Sequence, residues 1–271
     1  MVRSLWSAAT GMRSQQVAVD VIANNLANVN SVGYKSEKTE FKSLLYQTLQ
    51  TKTTSSDGSP KPVTAQVGLG VRNSSIKSIF TQGNMTATDS TSAFAIQGKG
   101  FFAVQSPDGA TRYTRNGDFT WALTGTGVEL TTSDGYPVLD TNGRAIRLTG
   151  NYNTSMITIT REGTIMYPDA GNNPQSLGIT IGLYQFQNPE GLEHVGDTSY
   201  VVSPASGQAM NEATTAGLQR SSLAQGYLEY SNVNVGDEMV NLIIAQRAYE
   251  MNSKAITTTD TMMELANNLK R

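Results

Sequence analysis

Side chains that ordinarily carry out chemistry are scarce in this chain, which has one histidine, His194, and no cysteine. Without thiols there is no thiolate catalysis, no disulfide staple and no sulfur-ligated zinc, and a single imidazole does not make a histidine metal cluster. His194 has no Gly-x-Ser-x-Gly elbow to serve; it stands between Glu193 and Val195 in a segment read as strand or loop, which fits a surface residue. Gly68-Leu69-Gly70 and Gly98-Lys99-Gly100 both lack the third glycine and the following helix of a dinucleotide fingerprint. Asp140-Thr141-Asn142-Gly143 opens like a calcium loop, but Asn151 stands where the bidentate glutamate belongs, so a hairpin turn is expected. Asp237 and Glu238 are adjacent and diverge on a helix, where they oppose the positive end of its dipole. These patterns predict no catalytic residue, no cofactor and no metal.

The bulk numbers narrow the partners. At roughly 150 residues per domain, 271 residues suggest about two domains. Twenty basic against 22 acidic side chains give a net charge of −2 with no basic run, so no nucleic-acid partner is expected. The longest apolar runs, such as Leu242-Ile243-Ile244-Ala245, fall far short of the roughly 20 residues that span a bilayer, so no membrane insertion is expected. The first residues, with Asp20 and many amides, lack the apolar block of a secretory signal. Release by another route, or residence in the cytoplasm, is the expectation.

Helical periodicity marks both ends. Leu5, Ala9, Met12, Gln16, Val19, Ala23 and Leu26 recur at alternating spacings of four and three, and Trp6, Val17, Val21 and Ile22 widen the stripe. Gly33 is placed to end the helix. From Gly226 onward a polar stripe of Arg247, Glu250, Lys254, Thr257, Thr261, Glu264 and Asn268 runs between two apolar flanks. One flank includes Val240, Ile244 and Met251, the other Tyr249, Ile256 and Met263. Faces this broad need several neighbours. In the middle, turn pairs such as Asp108-Gly109, Asn116-Gly117, Asp134-Gly135, Asn142-Gly143 and Glu162-Gly163 separate short Thr-, Val-, Ile-, Tyr- and Phe-rich runs, the pattern of hairpins. Residues 51–66, rich in Ser, Thr, Pro and Gly, read as an extended or flexible linker.

The expected fold is therefore α+β: long N- and C-terminal helices pairing as a coiled coil, a central all-β domain and an extended linker. The expected divisions are an N-terminal helix at 1–36, a linker and extended stretch at 37–93, the β-domain at 94–215, and a return segment with the C-terminal helix at 216–271. The N-terminal packing residues are Leu5, Ala9, Met12, Val19, Ile22 and Leu26; those of the C-terminal helix are Val240, Ile244, Met251, Ile256 and Met263. Because two helices cannot cover such wide faces, assembly with other copies follows from the pattern alone. Both ends are expected to be largely disordered before assembly and to order upon it.

Two terminal motifs carry a resemblance. Ile22-Ala23-Asn24-Asn25-Leu26-Ala27-Asn28-Val29-Asn30-Ser31-Val32-Gly33-Tyr34-Lys35 resembles the N-terminal signature of the bacterial flagellar rod and hook axial proteins. Tyr230-Ser231-Asn232-Val233-Asn234-Val235, followed by the stretch from Gln246-Arg247-Ala248-Tyr249-Glu250 to Lys254, is similar to the C-terminal signature of that family. Residues 95–104 and 113–119 resemble the opening of the family's β-domain. Ser31 and Tyr34 depart mildly from the commoner Thr and Phe. Length and the stretch after Leu44-Leu45-Tyr46-Gln47-Thr48 look most like the distal-rod type within the family.

The resemblance implies a structural subunit exported unfolded through the flagellar type III apparatus and located in the basal body, in a rod crossing the periplasm. It implies a homopolymer forming a rigid hollow shaft that transmits torque and encloses the export channel, with proximal rod proteins, hook protein and ring proteins as partners. The motif residues it singles out are Asn24, Asn25, Leu26, Asn28, Gly33, Asn232, Asn234, Gln246, Arg247 and Tyr249. The polar stripe from Arg247 to Asn268 then faces the channel, or is an ordinary solvent face; the stretch 50–66 either stiffens the shaft against neighbours or is a mobile loop. Other readings are a proximal rod or hook subunit and, from a different class, a secreted β-rich adhesin or cell-wall hydrolase.

Overall fold

The structure, a computed structural model, describes residues 2–50, 65–125, 127–150, 152–169, 171 and 173–269. The chain forms two compact units. One comprises Met1–Ala27, Glu37–Lys77 and Asn234–Arg271; the other comprises Asn28–Ser36 and Ser78–Val233. No described helix is long and apolar enough to cross a membrane.

The second unit is built of antiparallel strands, as the alternating pattern predicts. Its largest sheet has six strands in the order Glu193–Gly196, Ser199–Val201, Thr111–Thr114, Phe101–Gln105, Leu183–Gln185 and Met210–Asn211. Successive side chains of a strand point to opposite faces, and the run Phe101-Phe102-Ala103-Val104 is apolar on both. Phe102 and Val104 enter a core with Phe94, Ile96, Phe119, Leu130, Ile146 and Ile165. Phe101 and Ala103 enter a second core with Tyr113, Phe186 and Tyr200. Burial on both faces is what a continuous apolar run at a sheet centre requires. Four of the turn pairs close turns as expected, with the glycine N–H donating back to Ser106, Thr132, Asp140 and Thr160. Asn116-Gly117 does not: Gly117 lies against the Phe94 carbonyl, where a Cβ would not fit.

The first unit holds two helices, α1 (Val2–Ala27) and α2 (Val235–Asn268). They run antiparallel, with Asn25 opposite Glu238 and Gly11 opposite Asn252. The expected coiled-coil pairing is corrected here. The line that α1 buries is Ala8, Ser14, Ala18, Val21 and Asn25, small or polar for the most part. On the expected seam Ala9, Gln16 and Ala23 are exposed, and Leu5, Met12, Val19, Ile22 and Leu26 are only half-buried. Among the described residues of α2 only Ala245 and Thr259 are buried. Val240, Ile244 and Met251 are 56%, 60% and 65% exposed, while Ile256 and Met263 are half-buried. The physical reason is close approach: a Cβ on Gly11 would come within 2.8 Å of the Asn252 side chain, so the helices meet through their smallest residues and the large apolar ones fall to the flanks. A knobs-into-holes seam needs large apolar side chains on the contact line.

The stretch 37–93 contains paired strands. Glu37–Ser43 pairs with Val71–Ser78, and Tyr46–Gln50 pairs antiparallel with Ala65–Gly68, so strands occupy much of 37–78. Backbone pairing rather than apolar burial makes these ladders, and composition does not reveal it. Residues 51–64 of the stretch read as a linker lie outside the described residues.

Candidate functional site

The motif residues divide between the two units, and in each they tie backbone to backbone. In the helical unit Asn25 is almost fully buried near the end of α1. Its Nδ2 donates to the Glu37 carbonyl at 2.8 Å and to Glu238 Oε1 at 3.0 Å, while its Oδ1 accepts from the Glu37 N–H at 2.9 Å. One amide thus fixes strand Glu37–Ser43 and the first turn of α2 against α1. Asn234 caps α2, its Oδ1 accepting from the Gly236 N–H at 3.0 Å, and Asp237 and Glu238 occupy the first turn as the dipole favours. Asn24 is exposed.

In the β-unit the segment after α1 is joined to the strand Tyr227–Glu229 and the residues following it. Ser31 Oγ donates to Asn28 Oδ1 at 3.0 Å, closing a turn. The Gly33 N–H donates to the Glu229 carbonyl at 2.7 Å, and Val32 bridges Tyr230. Gly33 has φ +71°, and a Cβ there would strike the backbone of Arg115 and Asn116, so both conformation and space demand glycine. Asn232 accepts from the Ser36 N–H at 2.7 Å and donates to the Ile79 carbonyl at 2.8 Å.

Beneath these links lies a buried ion cluster. Lys35 Nζ sits 2.7 Å from Glu229 Oε1, with both side chains essentially inaccessible, and Arg115 Nη1 sits 3.4 Å from Glu229 Oε2. The carboxylate also accepts from the Gly83 N–H at 2.9 Å. Arg115 Nη2 donates to the Gly98 carbonyl at 2.7 Å, and its guanidinium lies 5.0 Å from the Phe101 ring centroid. Burial pushes the Lys35 ammonium below its ordinary value; Glu229 opposes that and the Arg115 charge adds to it. Burial likewise lowers Arg115, against the attraction of Glu229. Two cations on one carboxylate, all desolvated, make Glu229 the hub: removing it leaves Lys35 and Arg115 without the carboxylate they directly pair with, and only the charge of Glu212 still acts on Arg115.

Other expected features are placed plainly by the structure. Arg247 pairs with Glu250 at 3.3 Å on the surface of α2. Lys254, Thr257, Thr261, Glu264 and Asn268 are exposed. Gln246, Tyr249 and Glu250 line, with Gln16 and Val19, a cleft of about 400 Å³ between the two helices. His194 lies in the outermost strand of the six-stranded sheet, its ring edge-on to Tyr200. Asp140 closes a turn, Oδ1 accepting from the N–H groups of Asn142 and Arg144. Sequence reading gave no role to Lys35 or Arg115 and passed over Glu229. The available signal was a charge inside or directly beside each motif of a chain only 15% charged: Lys35 and Arg115 within theirs and Glu229 just before Tyr230.

Three family profiles match the chain. The flagella basal body rod protein profile covers residues 5–35, the flagellar hook protein FlgE/F/G D1 domain 95–167, and the flagellar basal body rod FlgEFG protein C-terminal profile 224–269. Lys35, Arg115 and Glu229 each fall in a different one of these segments. The three profiles, in this order along a chain with a helix near each end and strands between, define an axial protein of the flagellar rod and hook. The chain is 43% identical to the flagellar basal-body rod protein FlgG of Borreliella burgdorferi, over all of both chains. It is 41% identical to that of Caulobacter vibrioides over 99% of this chain and all of the relative. With that of Bacillus subtilis the identity is 37% over both full lengths. The chain belongs to the FlgG-type basal-body rod proteins, structural subunits of the distal rod of the flagellar basal body.

Proposed function

We propose that this subunit polymerises into a rigid hollow helical shaft that transmits torque from the motor to the hook. The observation that carries the reading is the uncovered apolar surface of α2, where Met239, Val240, Ile243, Ile244, Met251, Met262 and Leu265 are each more than half exposed. Surface of this kind on a helix with no covering neighbour marks a place for a partner, and in a rod the partners in reach are sibling subunits. The apolar flanks pack between copies, and the stripe Arg247, Glu250, Lys254, Thr257, Thr261, Glu264 and Asn268 faces a water-filled export channel. The stretch 50–66 docks on neighbouring subunits and stiffens the shaft, and beside it Leu45, Tyr46 and Leu49 are exposed. In this reading the subunit passes through the flagellar type III apparatus. It joins proximal rod proteins below and hook protein above, and ring proteins surround it in the periplasm.

Electron imaging of the purified full chain at high concentration tests the reading. Hollow cylinders are expected, with Ile244→Glu and Met251→Glu abolishing them while the β-unit stays folded. A chain that remains monomeric at every concentration, or assembles equally well with both charges present, overturns it.

A further inference from the structure

The cleft between α1 and α2 has walls that suit a large aromatic side chain, and the same unit displays one. Trp6 is 65% exposed on α1. Val19 follows it by thirteen residues, about 20 Å further along the axis and about 140° around it. The two therefore lie on opposite flanks of α1, either side of its buried line. Val19 and Tyr249 give the cleft an aliphatic wall and an aromatic wall, while Gln16, Gln246 and Glu250 give it a polar rim. Arg3, one turn before Trp6 on the same flank, is exposed and forms no ion pair among the described residues. Glu250, the one carboxylate on the rim, keeps a side chain 58% exposed beside Arg247.

We infer that Trp6 of one copy seats in the cleft of a second copy, between Val19 and Tyr249, with Arg3 joining Arg247 on the Glu250 carboxylate at the edge of the channel stripe. This rests on the polymer reading above and names one of its contacts. A knob on one flank and its cleft on the other make a front-to-back contact. Such a contact is not self-complementary and adds subunits in one direction, which generates a helix when the rotation between copies does not close a ring. The spacing along α1 sets the shift between contacting copies at about 20 Å along the helix axis. An indole buried between an aliphatic and an aromatic wall has the character of an interface anchor, and positive Arg3 against the Glu250 carboxylate orients it.

The chain has no cysteine, so engineered thiols report the contact directly. Full chains carrying both Trp6→Cys and Tyr249→Cys are assembled and treated with a short bismaleimide. A ladder of covalent multimers is expected, since each copy gives residue 6 to one neighbour and residue 249 to the other; either substitution alone gives no ladder. With Trp121→Phe, Trp6 is the single remaining tryptophan of two. Its emission shifts to the blue on assembly and its access to iodide falls several-fold. Trp6→Ala raises the concentration needed for assembly by about 30-fold, the effect of losing an anchor residue.

Polymers that form without the ladder, or in which Trp6 stays as open to iodide as in the monomer, overturn the contact and leave the polymer reading standing. A ladder from Met251→Cys with Tyr249→Cys in its place assigns the cleft to the α2 flank of the neighbour and overturns it as well. An unsubstituted chain that never assembles overturns both readings.

Discussion

The β-unit and the helical unit solve the burial problem in opposite ways. The β-unit closes on itself: Phe94, Ile96, Phe101, Phe102, Val104 and Leu130 are fully buried, and the buried Lys35 and Arg115 find an internal carboxylate. The helical unit brings α1 and α2 together through Ala, Gly, Ser and Asn and leaves its large aliphatic side chains outside. A region that buries its own apolar surface is stable alone, whereas one that displays it depends on what comes to cover it.

The sharpest way to break this comparison is to truncate one large side chain in each region. Phe102→Ala should cost the monomer about 3–5 kcal/mol, and Glu229→Ala about the same by stranding Lys35 and Arg115. Ile244→Ala, at an exposed site, should change monomer stability by less than about 0.5 kcal/mol while impairing assembly. Denaturant unfolding of the monomers reads all three, and an Ile244→Ala loss as large as that of Phe102→Ala would remove the distinction. Hydrogen exchange sharpens it next. Amides of Phe94–Gln97 and Phe101–Gln105 should exchange orders of magnitude more slowly in the monomer than those of residues 19–26 and 243–256, and assembly should close the gap. Equal protection before assembly would contradict it.

A smaller effect is expected at the helix start. Asn234→Ala removes the cap of α2 and should cost about 1 kcal/mol, seen as lost helical signal with the β-unit unfolding unchanged. The mildest effect is alkaline. Burial, with Tyr184 nearby, pushes the Tyr113 hydroxyl up from 10.0 to about 12. Between those values the unfolded chain loses this proton and the folded chain keeps it, so stability falls as pH rises through the window. Tyr113→Phe should flatten that part of the pH profile for the β-unit, and a profile unchanged by the substitution would contradict this.

What the sequence revealed follows the same divide. The strand-forming run within residues 95–104 and the Asp-Gly turns are local patterns, and local patterns survive into structure. The helix contact was misread because a three-four apolar stripe marks the side chains that want cover without saying what covers them. Ala8, Gly11, Ser14 and Ala18 also recur at helical spacing, and their smallness, not their hydrophobicity, decided the contact. Strands within 37–78 were hidden because Thr, Lys and Ser pair through backbone groups without an apolar signal. The ion cluster was hidden for a different reason. Its three members belong to three distant stretches, and no window of sequence contains two of them.

That distance has a temporal consequence. Lys35 and Glu229 are separated by 194 positions, so the pair cannot form until nearly the whole polypeptide is present. Contacts of such long range form late because the intervening loop must first be closed. A chain delivered N-terminus first, from a ribosome or through a narrow pore, therefore carries two unmatched cationic side chains until its last fifth arrives. Until residue 229 arrives, Lys35 and Arg115 lack the carboxylate they share, so the cluster is completed only in the final stretch of delivery.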